Sequence, residues 1–146
     1  MSKKELHISW EDFHIATQKL VEKLKNQGLK FDKIIAIARG GMIPAGILGQ
    51  ELDIRHIDTV CISSYCDEKH TQTELKILKA MASQDRNLLV IDDLVDSGKT
   101  FNIISKMMPN AHFACIYAKP IGKQFVHDYV QDVEQDTWVY FPWEVS

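Results

Sequence analysis

Two short apolar runs, each followed at once by a distinctive polar segment, constrain the fold of this chain more than any other feature. The first run spans residues 34–38 and leads into Arg39-Gly40-Gly41. The second spans residues 88–91 and leads into Asp92-Asp93 and then Gly98. Short runs rich in isoleucine, valine and leucine are typical of buried strands. Such strands, alternating with helices, predict an α/β protein.

The rest of the chain fits this interpretation. Ser9 and Asp12 form a capping-box pattern, apolar residues recur at 13, 16, 20 and 24, and Gly28 is a natural helix stop. Further elements are predicted as helices at 44–52 and 101–108, strands at 54–63, 75–78, 112–118 and 129–133, and a polar loop at 64–73. The expected fold is a mostly parallel central sheet flanked by helices, with ligands bound beyond the carboxyl ends of the strands.

Composition limits the classes of function. The 146 residues predict a single domain at 1–146. A net charge of −3 argues against nonspecific nucleic-acid binding, which needs a basic surface. Three cysteines without metal-ligand spacing suggest free thiols in a reducing compartment. No signal peptide or spanning segment is evident, so we expect a cytoplasmic protein for which membrane contact is not required, a peripheral position at the inner face of the cell membrane being the alternative.

The segment after the second apolar run has the composition of a phosphate site. Free N–H groups at a helix N-terminus, joined by the Ser97 and Thr100 hydroxyls, can hold an anion without net positive charge. Gly98 lets the backbone approach the anion closely. The segment therefore predicts a phosphate-binding loop at the start of a helix.

A nucleoside-triphosphate loop is the alternative for this segment. Gly98-Lys99-Thr100 resembles the end of a Walker A motif, Gly-x-x-x-x-Gly-Lys-Ser/Thr. That motif requires a glycine at the position of Asp93, where a carboxylate would oppose the β-phosphate. The triphosphate interpretation is therefore rejected.

The adjacent acids need a separate explanation. Asp92 and Asp93 at the end of a buried strand should point to opposite sides and lie outside the core, since buried unpaired carboxylates are costly. Alone, such a pair is typical of a solvated turn or a helix cap. Beside a phosphate loop, the two carboxylates can accept hydrogen bonds from sugar hydroxyls and hold Mg²⁺. The combination predicts a ribose 5-phosphate site.

Residues 88–100 resemble the phosphoribosyl-pyrophosphate (PRPP) motif of the type I phosphoribosyltransferases. The resemblance extends to residues 38–44, 56–65, 113–120, 135–138 and 142–144, and so covers nearly the whole chain. Within the family these segments are similar to the bacterial enzymes that use xanthine and guanine. The implied activity is transfer of ribose 5-phosphate from PRPP to a purine nitrogen, with Mg²⁺ and release of pyrophosphate.

The resemblance also implies roles for individual residues. Asp96 is implied as the catalytic acid–base group. Asp92 and Asp93 are also implied as catalytic residues that bind the ribose hydroxyls, and Asp93 is implied as a ligand of the metal. The implied PRPP-binding residues are Arg39, Gly40, Asp92, Asp93, Leu94, Val95, Asp96, Ser97, Gly98, Lys99 and Thr100. The implied purine-binding residues are Asp96, Lys119, Trp138 and Val139, within a hood over the base near residues 119–146.

The chemistry of these side chains suits the implied roles. Arginine offers a planar fork that matches phosphate oxygens. A lysine can donate to the exocyclic oxygen of a 6-oxopurine and disfavours the amino group of adenine. The Trp138 ring can stack on a flat base, although its position among other aromatic residues is also typical of a core or interface side chain.

Departures from the family pattern leave the base specificity open. Lys99 stands where the xanthine-guanine enzymes have a second glycine, and the Gly-Lys-Thr version is found in hypoxanthine-guanine enzymes. Thr73 stands where an arginine that reaches the phosphates is expected, so Lys69 or His70 would have to compensate. The segment after Glu144 is shorter than in the relatives, which leaves the hood and the subunit contacts open.

Three functions are therefore compared. The first is an enzyme that makes GMP and XMP, with IMP as a further product, and forms homodimers or homotetramers as its relatives do. The second is a hypoxanthine-guanine enzyme with little xanthine activity. The third is a PRPP-binding regulator that binds RNA or DNA, which would need a basic face or an added segment, and this chain has neither.

Overall fold

The computed structural model describes residues 4–66, 73–79 and 87–144, without the side chains of 63–66 and 73–79. Its helices are α1 (Trp10–Asn26), α2 (Met42–Glu51) and α3 (Lys99–Met107). Its strands are β1 (Lys4–His7), β2 (Lys33–Ala38), β3 (Ile57–Cys66), β4 (Thr73–Lys79), β5 (Leu88–Val95), β6 (His112–Ala118), β7 (Gln131–Asp132) and β8 (Thr137–Tyr140). A short 3-10 helix covers Lys123–Phe125.

Two sheets organise the described residues. The larger sheet has the order β4-β3-β2-β5-β6-β7, and only β4 runs antiparallel to its neighbour. The smaller sheet is the parallel pair β1 and β8. The prediction of a mostly parallel central sheet is confirmed.

Alternation along the central strands separates two apolar layers. In β2, Ile34 and Ala36 pack with the buried side chains of α1 and α2, whereas Ile35 and Ile37 pack with those of α3. Successive side chains of a strand point to opposite faces, so an uninterrupted apolar strand requires a helix on each side. The helices thus cover both faces of β2 and of the apolar part of β5 at residues 88–91.

Helix α1 follows its sequence signals closely. Asp12 N donates to Ser9 Oγ at 3.0 Å, and the Asp12 carboxylate accepts from the Ser9 backbone N at 3.5 Å, which completes the predicted capping box. At the other end, Gly28 has a φ of +70°. Its N–H donates to the Lys25 carbonyl and the Leu29 N–H to the Leu24 carbonyl, the Schellman arrangement.

Several predicted boundaries are wrong. Strand β5 continues to Val95, so Asp92 and Asp93 belong to the strand and not to a turn after it. Helix α3 covers Lys99–Met107 where residues 101–108 were predicted, and α2 covers Met42–Glu51 where 44–52 were predicted. Tertiary pairing explains the longer strand, because β6 continues to pair with β5 as far as Val95 and Ala118.

The polar segment after β3 also differs from the prediction. Strand β3 runs to Cys66 and β4 begins at Thr73, so only residues 67–72 separate them. Antiparallel pairing with β4 carries polar residues into the strands, and a sequence pattern does not show this. Lys69 and His70 lie outside the described residues. The strand predicted at 129–133 is reduced to Gln131–Asp132, and β1 was not predicted.

The C-terminal aromatic residues divide into core and surface. The Phe141 and Trp143 rings stack at 4.8 Å, and each makes an edge contact with Phe13 of α1. Trp138, in contrast, is 56% exposed. The small sheet is therefore fixed to the main body by aromatic packing while it presents one tryptophan outward.

Two remaining predictions concern membrane-spanning segments and the state of the cysteine thiols. In the parts of the chain that the structure describes, no helix is long and apolar enough to cross a bilayer. Cys61 and Cys115 are free thiols, and Cys115 is fully buried.

Two exposed glycines, Gly28 and Gly46, allow a matched test of the backbone conformation assigned at each position. An alanine at Gly28 would meet no atom but would have to adopt a positive φ, so Gly28→Ala should destabilise the protein by about 1 kcal/mol. An alanine at Gly46, inside α2, would also meet no atom and should stabilise it by about 1 kcal/mol. Urea unfolding of both variants measures the difference, and an equal shift in both would contradict the assigned backbone.

Candidate active site

The loops after β2 and β5 meet at one edge of the sheet. Ala36 pairs with Ile91 in parallel, so both strands end on the same side. The loop after β2, which follows a cis Ala38–Arg39 peptide bond, approaches β5 so closely that a Cβ at Gly40 would overlap the Asp93 carboxylate. A Cβ at Gly41 would crowd the carbonyl oxygen of Ile91. The two glycines therefore allow one crevice to form from two separate loops.

The acid pair lies inside this crevice. Asp93 N donates to the Asp92 carboxylate at 2.8 Å, and both residues are half-buried. Burial raises the pKa of Asp92 well above its ordinary value, and the charge of Asp93 adds to the effect. Burial likewise raises the pKa of Asp93 to about 6, with a further contribution from Glu144. The expectation that these acids lie outside the core holds only in part.

A turn joins β5 to α3 beside the acid pair. Gly98 precedes the helix with a φ of +87°, and the Ser97 hydroxyl oxygen accepts a hydrogen bond from the backbone N–H of Lys99, the first helical residue, at 3.4 Å. A cavity of about 140 Å³ lies here, lined by Asp92 and by every residue from 94 to 101. The N–H groups of a first helical turn attract anions, so this cavity has the chemistry of a phosphate site.

Asp96 lies on this turn and is held from two sides. Its Oδ2 accepts a hydrogen bond from Lys119 Nζ at 3.2 Å, and its Oδ1 accepts one from Gln135 Nε2 at 2.8 Å. The Lys119 side chain is 8% exposed and that of Asp96 is 59% exposed. The ammonium group of a buried lysine thus contacts the Asp96 carboxylate, which is itself accessible to solvent or to a ligand.

The other implied residues occupy different surroundings. Arg39 is exposed in the loop after β2. Trp138 borders a cavity of about 590 Å³ that Glu144 also lines. The Val139 side chain is buried in the core, so only its backbone is available to a ligand.

Sequence reasoning missed the position of one side chain. Gln135 was noticed only as part of a resembling segment, yet its amide is in direct contact with Asp96. The two residues are 39 positions apart. No local pattern marks such a glutamine, because the turn after β5 and the segment before β8 meet only in the folded protein.

The phosphoribosyl transferase domain family matches residues 8–146 of this chain. A curated relative, the xanthine-guanine phosphoribosyltransferase of Desulfotalea psychrophila, is 46% identical over 144 residues, which cover 99% of this chain and 89% of the relative.

Solved structures resemble the chain over almost its whole length. A purine phosphoribosyltransferase from Pyrococcus horikoshii superposes with a TM-score of 0.84 at 27% identity, over 97% of this chain and 95% of that one. A hypothetical protein from Neisseria gonorrhoeae with bound ppGpp superposes with a TM-score of 0.84 at 28% identity, over 99% of this chain and 92% of that one. The family match, the curated relative and the shared fold agree that this chain belongs to the phosphoribosyltransferase family.

Proposed function

We propose that this enzyme transfers the ribose 5-phosphate of PRPP to guanine or xanthine and releases pyrophosphate. The bond between the ribose C1 and the pyrophosphate oxygen breaks, a bond from C1 to a purine nitrogen forms, and the purine loses an N–H proton. The observation that carries the proposal is the contact of Asp96 with the buried Lys119 beside the helix cavity. The relative with 46% identity supports the choice of bases.

PRPP would bind along the shared edge of β2 and β5. Its 5-phosphate fits the cavity at the start of α3, where backbone N–H groups and the Ser97 and Thr100 hydroxyls are available. The ribose hydroxyls would donate to Asp92 and Asp93. The pyrophosphate would lie against Arg39 and Gly40, since this loop is directly next to Asp93. One crevice can therefore hold all three parts of the substrate.

The acid pair fits a magnesium ion. In the described part of the chain, no group of three or more His, Cys, Asp or Glu side chains could hold a metal ion without help. Mg²⁺ usually takes only one or two carboxylates and completes its shell with substrate phosphates and water. Burial raises the pKa of Asp93, and a cation bound beside it would favour the charged form of the carboxylate. When bound there, the ion would neutralise the departing pyrophosphate.

Asp96 is the proposed acid–base group. Each carboxylate oxygen offers two acceptor positions, so Asp96 can receive a purine N–H while it keeps its bonds to Lys119 and Gln135. Lys119 has three donor hydrogens and can serve Asp96 and the exocyclic oxygen of the base together. The Trp138 ring contacts Tyr140 but is 56% exposed, and its exposed surface could stack on the base. The small sheet of β1 and β8 would then act as the hood.

Two further expectations rest on the family. We propose that residues 1–146 form one domain, because the relative aligns with 99% of the chain. We also propose that the enzyme assembles as a homodimer or homotetramer, and exposed apolar side chains such as Trp10 and Met42 are available for subunit contacts.

A hypoxanthine-guanine enzyme is the second candidate. Lys99 is the first residue of α3, and it replaces a glycine that the xanthine-guanine enzymes have. Lys99 lines the cavity proposed for the 5-phosphate, whereas the base is proposed to bind at Asp96 and Lys119, so the Lys99 side chain does not itself select the base. We therefore keep guanine and xanthine as the first proposal.

Direct comparison of three bases tests the substrate class. With PRPP and Mg²⁺, we expect pyrophosphate release with guanine and xanthine, and less with hypoxanthine. Turnover of guanine and hypoxanthine without xanthine would establish the second candidate. No pyrophosphate release with guanine would refute both.

Removal of the Asp96 charge tests the mechanism. Asp96→Asn should lower kcat about 10²- to 10⁴-fold, the usual contribution of general acid–base catalysis. The variant should remain folded, because the side chain is exposed. Asp53→Asn is the matched control, since Asp53 is an exposed turn residue with a positive φ that asparagine adopts readily. An Asp96→Asn variant with normal kcat would exclude the acid–base role.

The acid pair should reduce stability in a pH-dependent way. The pKa of Asp93 is about 6 in the folded protein, against an ordinary value of about 4. The folded state thus binds more protons between these values, and its stability falls as pH rises through this interval. Asp93→Asn removes this loss. The variant should therefore have a higher free energy of unfolding than wild type at pH 7.5, and the difference should be smaller at pH 5.

Urea unfolding at both pH values measures this gain, and Asp32→Asn at an exposed position is the control. An equal effect of Asp93→Asn at the two pH values would show that Asp93 has an ordinary pKa. The variant should also require more Mg²⁺ for turnover.

A further inference from the structure

Gln135 connects the acid loop to the turn that carries Lys119. Its Nε2 donates to Asp96 Oδ1 at 2.8 Å, and its Oε1 accepts from the Ile121 backbone N at 2.9 Å. A backbone N–H can only donate, so the bond from Ile121 fixes the orientation of the amide. The NH₂ group must then face Asp96.

The turn after β6 packs directly against the acid loop. The Lys119 N–H donates to the Val95 carbonyl at 3.0 Å, and a Cβ at Gly122 would crowd the Asp96 carbonyl oxygen. The Ile121 N–H that orients Gln135 therefore belongs to a segment whose distance from Asp96 is already fixed. Gln135 completes a closed connection between these two segments and the chain before β8.

The two donors to Asp96 are not equivalent. In the function proposed above, Lys119 also serves the base, so its hydrogens are shared between substrate and carboxylate. The amide oxygen of Gln135 accepts from the Ile121 backbone N–H, and its NH₂ group donates to Asp96. It is uncharged, and it fixes one oxygen of the carboxylate whether or not a base is bound.

We propose that Gln135 is a positioning residue for the reaction, which holds the Asp96 carboxylate in the orientation needed to receive the purine proton. The inference rests on the acid–base role of Asp96. Gln135 acts through Asp96 and needs no contact with PRPP or the base. Its loss should therefore lower kcat and leave the KM for PRPP nearly unchanged.

Three variants separate positioning from folding. Gln135→Ala removes both hydrogen bonds, and kcat with guanine should fall about 10- to 100-fold because a misplaced group loses rate steeply. Gln135→Glu keeps an acceptor for Ile121 but places a negative charge beside Asp96, so the acid limb of the kcat–pH profile should move to higher pH. Gln124→Ala is the control, because Gln124 Nε2 donates a hydrogen bond to the Ile121 backbone carbonyl and does not contact Asp96, so this variant should keep normal kcat.

A double-mutant cycle supplies the decisive measurement. If Gln135 acts through Asp96, then Asp96→Asn combined with Gln135→Ala should be no slower than Asp96→Asn alone. Thermal unfolding of each variant verifies folding, and Gln135→Glu replaces Gln135→Ala if the latter does not fold.

Three results would overturn the inference. They are a normal kcat in Gln135→Ala, an unmoved pH profile in Gln135→Glu, and losses that multiply in the double variant. In each of these cases a slow Asp96→Asn leaves the proposed function intact. Full activity of Asp96→Asn would instead remove the acid–base role itself.

Discussion

Residues 34–36 of β2 pair in parallel with residues 89–91 of β5, and the site depends on this pairing. It brings the loop after β2 beside the acid pair, where Gly40 leaves space for the Asp93 carboxylate. The apolar parts of both strands are buried on both faces, so the loops at their ends extend from the packed core of the molecule. A ligand with two phosphate-bearing ends can then be held by loops that lie far apart in sequence.

The electrostatics of the crevice explain how a chain with a net charge of −3 can bind a polyanion. Backbone N–H groups at α3 and a loop containing Arg39 provide the anion sites, while the carboxylates are close by and partly buried. Burial of the two charged carboxylates is unfavourable, and this is why the pKa values of Asp92 and Asp93 are raised. Such a cost is typical of functional sites, where charges are arranged for a ligand and not for the stability of the free protein.

Elements with strong local signals could be predicted from the sequence. The capping box of α1, its Gly28 stop and strand His112–Ala118 agree with the structure because each is marked by a local sequence pattern. The extension of β5 through Asp92 and Asp93 could not be predicted, since pairing with β6 outweighs the polar side chains. Strand β1 was missed for the same reason: its partner β8 is more than 130 residues away along the chain.

Within the site, too, some features could be predicted from the sequence and others could not. Asp92, Asp93 and Asp96 are close in sequence, so their proximity could be predicted, but the contacts that orient Asp96 come from Lys119 and Gln135. Lys119 is buried because its turn packs against Val95, and this leaves only its charged end toward the site. Lys119 has donor hydrogens for both the carboxylate and the base, but its rotatable ammonium group alone does not fix the orientation of the carboxylate. A neutral amide, itself oriented by a backbone N–H, can fix one oxygen without competing for the ligand.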